Sequence, residues 1–184
     1  MGTIKFSDYI VETLIAKGIT DVFGYPGGMV THLMDSFDKY SGKIKAHINY
    51  NEQGSAFCAC AYASVSGLPG FAYATSGPGV TNLLTGIANA YFDSVPVVFV
   101  SGQVNSFEQK GALRVRQRGF QEMNAAAIAQ SVTKYSAAVN SPGEAAAELH
   151  KAFDIAVSGR PGPVLLDIAM DVSRAQIENT APPA

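Results

Sequence analysis

The chain has 184 residues, 47% of them hydrophobic and 15% charged, with a formal net charge of -2 at pH 7. That is the composition of one globular domain with a substantial core. It offers no basic field for nucleic acid, no acidic solvating tail and no apolar run of membrane-spanning length.

The N-terminal stretch MGTIKFSDYIVETL lacks the apolar core of a secretory signal. Ser7 is placed to cap a helix carrying Ile10, Val11, Leu14 and Ile15, which Gly18 stops. Asp21–Gly24 reads as a strand running into the turn Tyr25-Pro26-Gly27-Gly28. A helix over Thr31–Asp38 and a strand over Ile44–Tyr50 follow. From Glu52 to Ser66 the chain is rich in small residues and closes at Gly67. This segment holds the only two cysteines, Cys58 and Cys60, which are too close for a CxxC pair and too few for a disulfide framework. They read as small buried thiols in a reducing cytoplasm. Phe71–Thr75 is strand-like, Gly79–Phe92 helical, and Pro96–Ser101 a nearly continuous apolar strand. After a charged irregular stretch, Gln121–Ser131 reads as helix, Thr133–Val139 as extended, Pro142–Ser158 as helix and Pro163–Ala169 as the last strand. The expected fold is α/β: a doubly wound, mostly parallel sheet with helices on both faces. The domain covers residues 1–173, and 174–184, ending APPA, has the composition of a linker toward a further domain.

Several familiar chemistries are missing from the sequence. There is no phosphate loop of the GxxxxGK[ST] type, no GxSxG elbow and no HExxH, and the three histidines have no ligand spacing. Gly77-Pro78-Gly79 lacks the third glycine of a dinucleotide fingerprint. What remains is a set of three turns after strands: FGYPGG at 23–28, NEQG at 51–54 and ATSGPGVTN at 74–82. In an open parallel sheet these lie where ligands bind. Singly, each has a plain structural reading. Glycine and proline make turns, Glu52 suits a helix dipole, and Ser76–Asn82 caps a helix, although its free N–H groups could equally hold an anion or a polar ring.

In this order the blocks resemble one family. VFGYPGG, NEQGSAF, ATSGPGVTNLLTGIANAYFDSVPVVFVSGQV, FQE and SGRPGPVLLDI are similar to the N-terminal domain of acetolactate (acetohydroxyacid) synthases and related thiamine-diphosphate enzymes, from about Ile4 to about Ser173. The resemblance implies the pyrimidine-binding domain of the thiamine-diphosphate fold. It implies that Glu52 hydrogen-bonds N1′ of the cofactor's aminopyrimidine and so favours the tautomer whose 4′-nitrogen removes the C2 proton. It brings Tyr25, Pro26 and Gly28 to cofactor and substrate, Thr75, Pro78 and Asn82 to the pyrimidine, and Phe120 and Gln121 to the reaction centre, with Glu52 and Gln121 as the catalytic pair. It also implies a homodimer, in which a partner subunit completes the pocket.

Four departures from the pattern stand out. Asn51 replaces the usual histidine before the glutamate, and the segment between GQV and FQE is long and carries Lys110, Arg114, Arg116 and Arg118. DIAMD stands in place of DIPKD, so Met170 replaces a lysine. These departures weigh against acetolactate as product and against FAD, the further cofactor that acetolactate synthases carry. The segment 110–118 reads either as an anion-binding surface or as a solvated basic loop. The diphosphate and its Mg²⁺ need clustered oxygen ligands for which this chain has no motif. The expectation is therefore decarboxylation of a 2-oxo acid and ligation of the fragment, performed with a downstream diphosphate-binding domain. The alternative is the small subunit of a two-chain 2-oxo-acid decarboxylase, or a related carboligase or decarboxylase with another substrate. A non-catalytic module of the same fold would have no need of a carboxylate at Glu52.

Overall fold

A computed structural model describes residues 2–179. The strands are β1 (Thr3–Lys5), β2 (Asp21–Gly24), β3 (Lys45–Ile48), β4 (Gly70–Ala74), β5 (Val97–Gln103), β6 (Tyr135–Val139), β7 (Val164–Ala169) and β8 (Gln176–Glu178). The helices are α1 (Phe6–Ala16), α2 (Thr31–Lys39), α3 (Glu52–Ser66), α4 (Pro78–Asp93), α5 (Ala125–Ala129), α6 (Pro142–Val157) and α7 (Met170–Arg174). Six strands form one parallel sheet in the order β3-β2-β4-β5-β7-β6, the doubly wound α/β arrangement expected. β4, β5 and β7 are buried along their whole length, which is why their sequences run apolar without alternation.

Side-chain alternation sorts the two faces. Phe71, Tyr73, Val98, Val100, Leu166 and Ile168 pack with α1, α2 and α6. Ala72, Ala74, Val97, Phe99 and Leu165 pack with α3, α4 and α5. The second face is made of small residues so that α3 can come close. A Cβ on Gly70 would stand 2.2 Å from the Ala59 carbonyl oxygen, and one on Gly86 would stand 2.2 Å from Ala56 Cβ. Ala56, Ala59 and Ala63 thus serve packing within the domain, while Phe57 and Val65 face outward.

Three sequence expectations change. Ser7 does not cap α1: the helix begins at Phe6, after Lys5, and Ser7 is buried, taking a hydrogen bond from Ser36 Oγ at 2.8 Å. The expected helix over Gln121–Ser131 shrinks to Ala125–Ala129, because Asn124 caps it only there, accepting from the Ala127 amide at 3.0 Å. Gln176–Glu178 is a strand antiparallel to β1, with Ile4 opposite Ile177, so the segment from Arg174 begins as part of the domain's structure. Residues 180–184 of that tail lie outside the described residues.

The direction of winding changes between β2 and β4. The chain leaves β2 through α2 to the edge strand β3, and leaves β4 through α4 toward β5 on the other face. The crevice opened by such a reversal is the standard ligand position of open α/β sheets. Because α3 and α4 touch through Gly86, Gly86→Ala should cost about 1–3 kcal/mol of stability in urea unfolding. An unchanged midpoint would contradict that packing.

Candidate active site

The turn Tyr25–Gly28 follows β2, and Thr75–Gly77 follows β4, on the two sides of the crevice. They are pressed together. Gly27 has extended backbone, and a Cβ there would sit 2.4 Å from Thr75 Cβ. The Met29 amide donates to Thr75 Oγ1 at 3.3 Å. Gly77 adopts φ +64, a conformation that glycine accepts without strain. Pro78 then begins α4, where a missing N–H costs nothing.

Glu52 is the first residue of α3. Asn51 caps the helix, its side chain accepting from the Gln53 amide at 2.7 Å, and Gly67 closes it in the left-handed conformation. The Glu52 carboxylate therefore sits at the positive end of the helix dipole. Only 9% of Glu52 is exposed, and Asn82 Nδ2 donates to its Oε2 at 2.9 Å. Oε1 points toward Gly79: a Cβ on that glycine would lie 3.3 Å away, and 3.0 Å from Thr75 Cγ2. The site is thus a fixed carboxyl oxygen beside bare backbone, at the mouth of a 16-residue helix. In the turn after β4 the Ser76 hydroxyl is buried without a hydrogen-bond partner among the described residues.

The segment after β5 approaches from the other side. Gln121 lies against Gly77, 2.8 Å from its Cβ to the point where a Cβ on Gly77 would be, and has φ +56 itself. A non-glycine residue in that region is strained and must be held there. Phe120 is 72% exposed and lines, with Met29, Arg118 and Met170, a cavity of about 360 Å³. Another cleft, of about 340 Å³, runs along edge strand β3 beside Met34, Phe37 and Ile48 and contains none of the expected site residues.

The basic stretch is organised by a carboxylate. Glu122 accepts from the amides of Lys110 at 2.7 Å, Arg118 at 2.9 Å and Gly119 at 3.2 Å. Burial pushes its pKa up, but these amides outweigh burial and hold it below the usual 4.5. Its support of the loop is present above that value and lost as pH falls through the lowered one. Lys110 Nζ donates to the carbonyls of Val115 and Arg116, and Arg118 Nη1 to that of Phe107 at 2.9 Å. Two of the four cations therefore serve the loop's own backbone.

Residues 4–129 match the family described as thiamine pyrophosphate enzyme, N-terminal TPP binding domain. The chain belongs to that family. Thiamine pyrophosphate and thiamine diphosphate are the same molecule. The chain is 41% identical over 169 residues to the acetolactate synthase isozyme 2 large subunit of Escherichia coli (strain K12), covering 92% of this chain and 29% of that protein. It is 42% identical over 171 residues to an acetolactate synthase of Arthrospira platensis, covering 92% and 28%. It is 42% identical over 174 residues to the acetolactate synthase large subunit of Corynebacterium glutamicum, covering 95% and 27%. The chain spans less than a third of the length of these relatives.

In this thiamine pyrophosphate enzyme domain, Glu52, Thr75, Pro78 and Asn82 converge on the crevice, with Gln121 reaching it at Gly77. Tyr25 and Pro26 form its outer turn, Tyr25 being 40% exposed. Gly28 faces open space, and the glycine that cannot carry a side chain is Gly27. Sequence reasoning misses Gly27, Gly79, the buried Ser76 and the anchoring Glu122. The doubled glycines of YPGG and GPG are the only signal for the first two. Glu122→Ala should expose the 110–118 loop to faster tryptic cleavage at Arg114 and Arg116. Cleavage at the rate of the unaltered chain would show that the carboxylate does not hold the loop.

Proposed function

We propose that this domain activates thiamine diphosphate in an acetolactate synthase-like enzyme, which decarboxylates a 2-oxo acid such as pyruvate and joins the fragment to an acceptor carbonyl. One observation carries the reading: Glu52 is buried at a helix N-terminus with Oε2 taken by Asn82 and Oε1 turned toward side-chain-free backbone. An aminopyrimidine ring fits such a place, being flat and polar and needing an acidic partner at one ring nitrogen. Gly79 keeps the backbone beside Oε1 free of a side chain, so no bulk stands against that oxygen on its open side.

Thiamine diphosphate, when bound, supplies the electron sink for loss of carbon dioxide. The chain's own residues handle a proton and a position. Asn82 fixes one carboxyl oxygen of Glu52, so the other holds or releases the proton shared with the ring nitrogen. Thr75 and Pro78 border the ring, and Tyr25, Pro26 and Gly28 form the turn that meets cofactor and substrate. Phe120 and Gln121 would face the reacting end, a reading supported for Gln121 by its contact with Gly77.

The proposal extends to partners. The diphosphate and its Mg²⁺ are assigned to a domain or subunit beyond this chain. A homodimer is supported by apolar side chains left outward on α3 and α4: Phe57, Val65 and Phe92 are 43%, 90% and 71% exposed. FAD is not part of the proposal, since Met170 brings a thioether to the cavity beside Phe120 where acetolactate synthases have lysine. A cytoplasmic setting rests on the free cysteines, of which Cys60 is buried with its thiol pushed up to about 11. In the enzyme that contains this domain, Glu52→Gln should lower kcat by at least about 100-fold, with the cofactor's Kd changed far less. Undiminished turnover would overturn the assignment.

A further inference from the structure

β5 and β7 place Ser101 directly beside Asp167 in the sheet. Both side chains are buried, with Asp167 3% exposed. Ser101 Oγ donates to Asp167 Oδ1 at 2.6 Å, and Gln103 Nε2 donates to Oδ2 at 3.0 Å. The same Gln103 nitrogen donates its second hydrogen to the Met123 carbonyl at 2.6 Å, while Gln103 Oε1 accepts from the Val104 amide at 2.9 Å. Every donor of that amide group is used and its oxygen is engaged, which fixes its orientation. Met123 lies two residues beyond the strained Gln121, and the turn 119–122 is closed by the Glu122 amide donating to the Gly119 carbonyl at 3.2 Å.

We propose that Asp167 is a positioning residue: acting through Gln103, it holds the turn that sets Gln121 against Gly77, and it does so as a carboxylate. This rests on the reading of Gln121 as a residue of the thiamine site for its catalytic meaning, and on the hydrogen-bond chain alone for its geometry. An ionised acceptor makes the Gln103 bond a charge-assisted one, and protonation of Asp167 replaces it with a weaker neutral bond. Strain at Gln121 is then opposed less firmly.

The carboxyl can titrate without unfolding the domain, because a cavity of about 290 Å³ reaches it past Lys110, Arg116, Glu122 and Asn140. Burial pushes Asp167 up to about 6, the bonds from Ser101 and Gln103 opposing. The charged groups facing the cavity are Lys110, Arg116 and Glu122, and Glu122 is held below 4.5, outside the window in question. α5, packed on the same face, has no ionisable residue, and neither does β5. On β6 the only one is Tyr135, which pairs with Val164 at the far end of β7. The linkage has a definite sign. Folded-state protonation is favoured, so Asp167 stabilises the fold below its unfolded value of 3.8, and that stabilisation is lost as pH rises through about 6. The positioning bond runs the other way, being strongest above that pH.

The test is an amide NMR titration of the free 184-residue chain, with the Asp167 carboxyl carbon followed in the same samples. The amides of Gln121 and Met123 should move together with that carboxyl, with a midpoint near 6. Hydrogen exchange of the Glu122 amide, which donates to the Gly119 carbonyl and closes this turn, should quicken by about tenfold on the acid side, after correction for the intrinsic pH dependence. In Gln103→Met the carboxyl should still titrate while the two amides no longer follow it, and in Asp167→Asn the amide transition should disappear. Amides that stay fixed between pH 5 and 7 in the unaltered chain, or a transition that survives Gln103→Met, would overturn the proposal. No cofactor takes part, so these outcomes stand apart from the Glu52→Gln result: a transition seen beside an indifferent Glu52 would leave the positioning intact and remove its catalytic meaning.

Discussion

A carboxylate kept out of water is costly unless its position offsets the desolvation, and the domain is arranged around making that possible at Glu52. Three features act together there. The N-terminus of α3 offers a favourable dipole, Asn82 offers one hydrogen bond, and the Gly79 backbone offers proximity without bulk. The last two depend on α3 and α4 lying very close. That closeness comes from Ala56 against Gly86, and α3 in turn approaches the sheet through Ala59 over Gly70. The small residues of this layer are thus a condition of the proposed chemistry as well as of the packing.

The sheet supplies the rest of the geometry. Reversal of winding between β2 and β4 opens a crevice, and Gly27 on Thr75 ties its two lips together. A Cβ on Gly102 would meet the Met29 carbonyl oxygen at 2.3 Å, so the turn after β2 also rests on the end of β5. The long segment after β5 has almost no regular structure of its own, and carboxylates take over the role of secondary structure there. Glu122 gathers three backbone amides, and Asp171 holds Ser106 at the start of the segment through its amide at 2.8 Å and its hydroxyl at 2.6 Å. Such a segment can present Phe120 and Gln121 to a ligand at modest cost in rigid structure.

Much of this is legible in the sequence. Continuous apolar runs such as PVVFVS and PVLLDI mark buried parallel strands, and Glu52 between a strand and a small-residue stretch marks a helix start. The glycine turns, taken in order, point to the crevice. What escapes is decided by contacts between distant residues. Ser7 looks like a cap, but its hydroxyl is satisfied by Ser36 on another helix. β1 and β8 are three residues each and exist only because they pair with one another. Gly28 and Gly27 are indistinguishable in sequence, and only the position of Thr75 tells which one has no space for a side chain. The charges of Lys110 and Arg118 read as an anion surface or a solvated loop, whereas their donors turn inward to the loop's own carbonyls.

The proposed pairing of Glu52 with one nitrogen of the cofactor ring has a direct kinetic signature. It is the rate at which the C2 proton of bound thiamine diphosphate exchanges with deuterium in the enzyme containing this domain, measured with the normal cofactor and with an analogue whose ring has C–H at that nitrogen. Glu52→Gln should slow exchange by about 100-fold or more with the normal cofactor and leave the already slow analogue unchanged. Equal slowing with both cofactors, or none with either, would contradict the pairing.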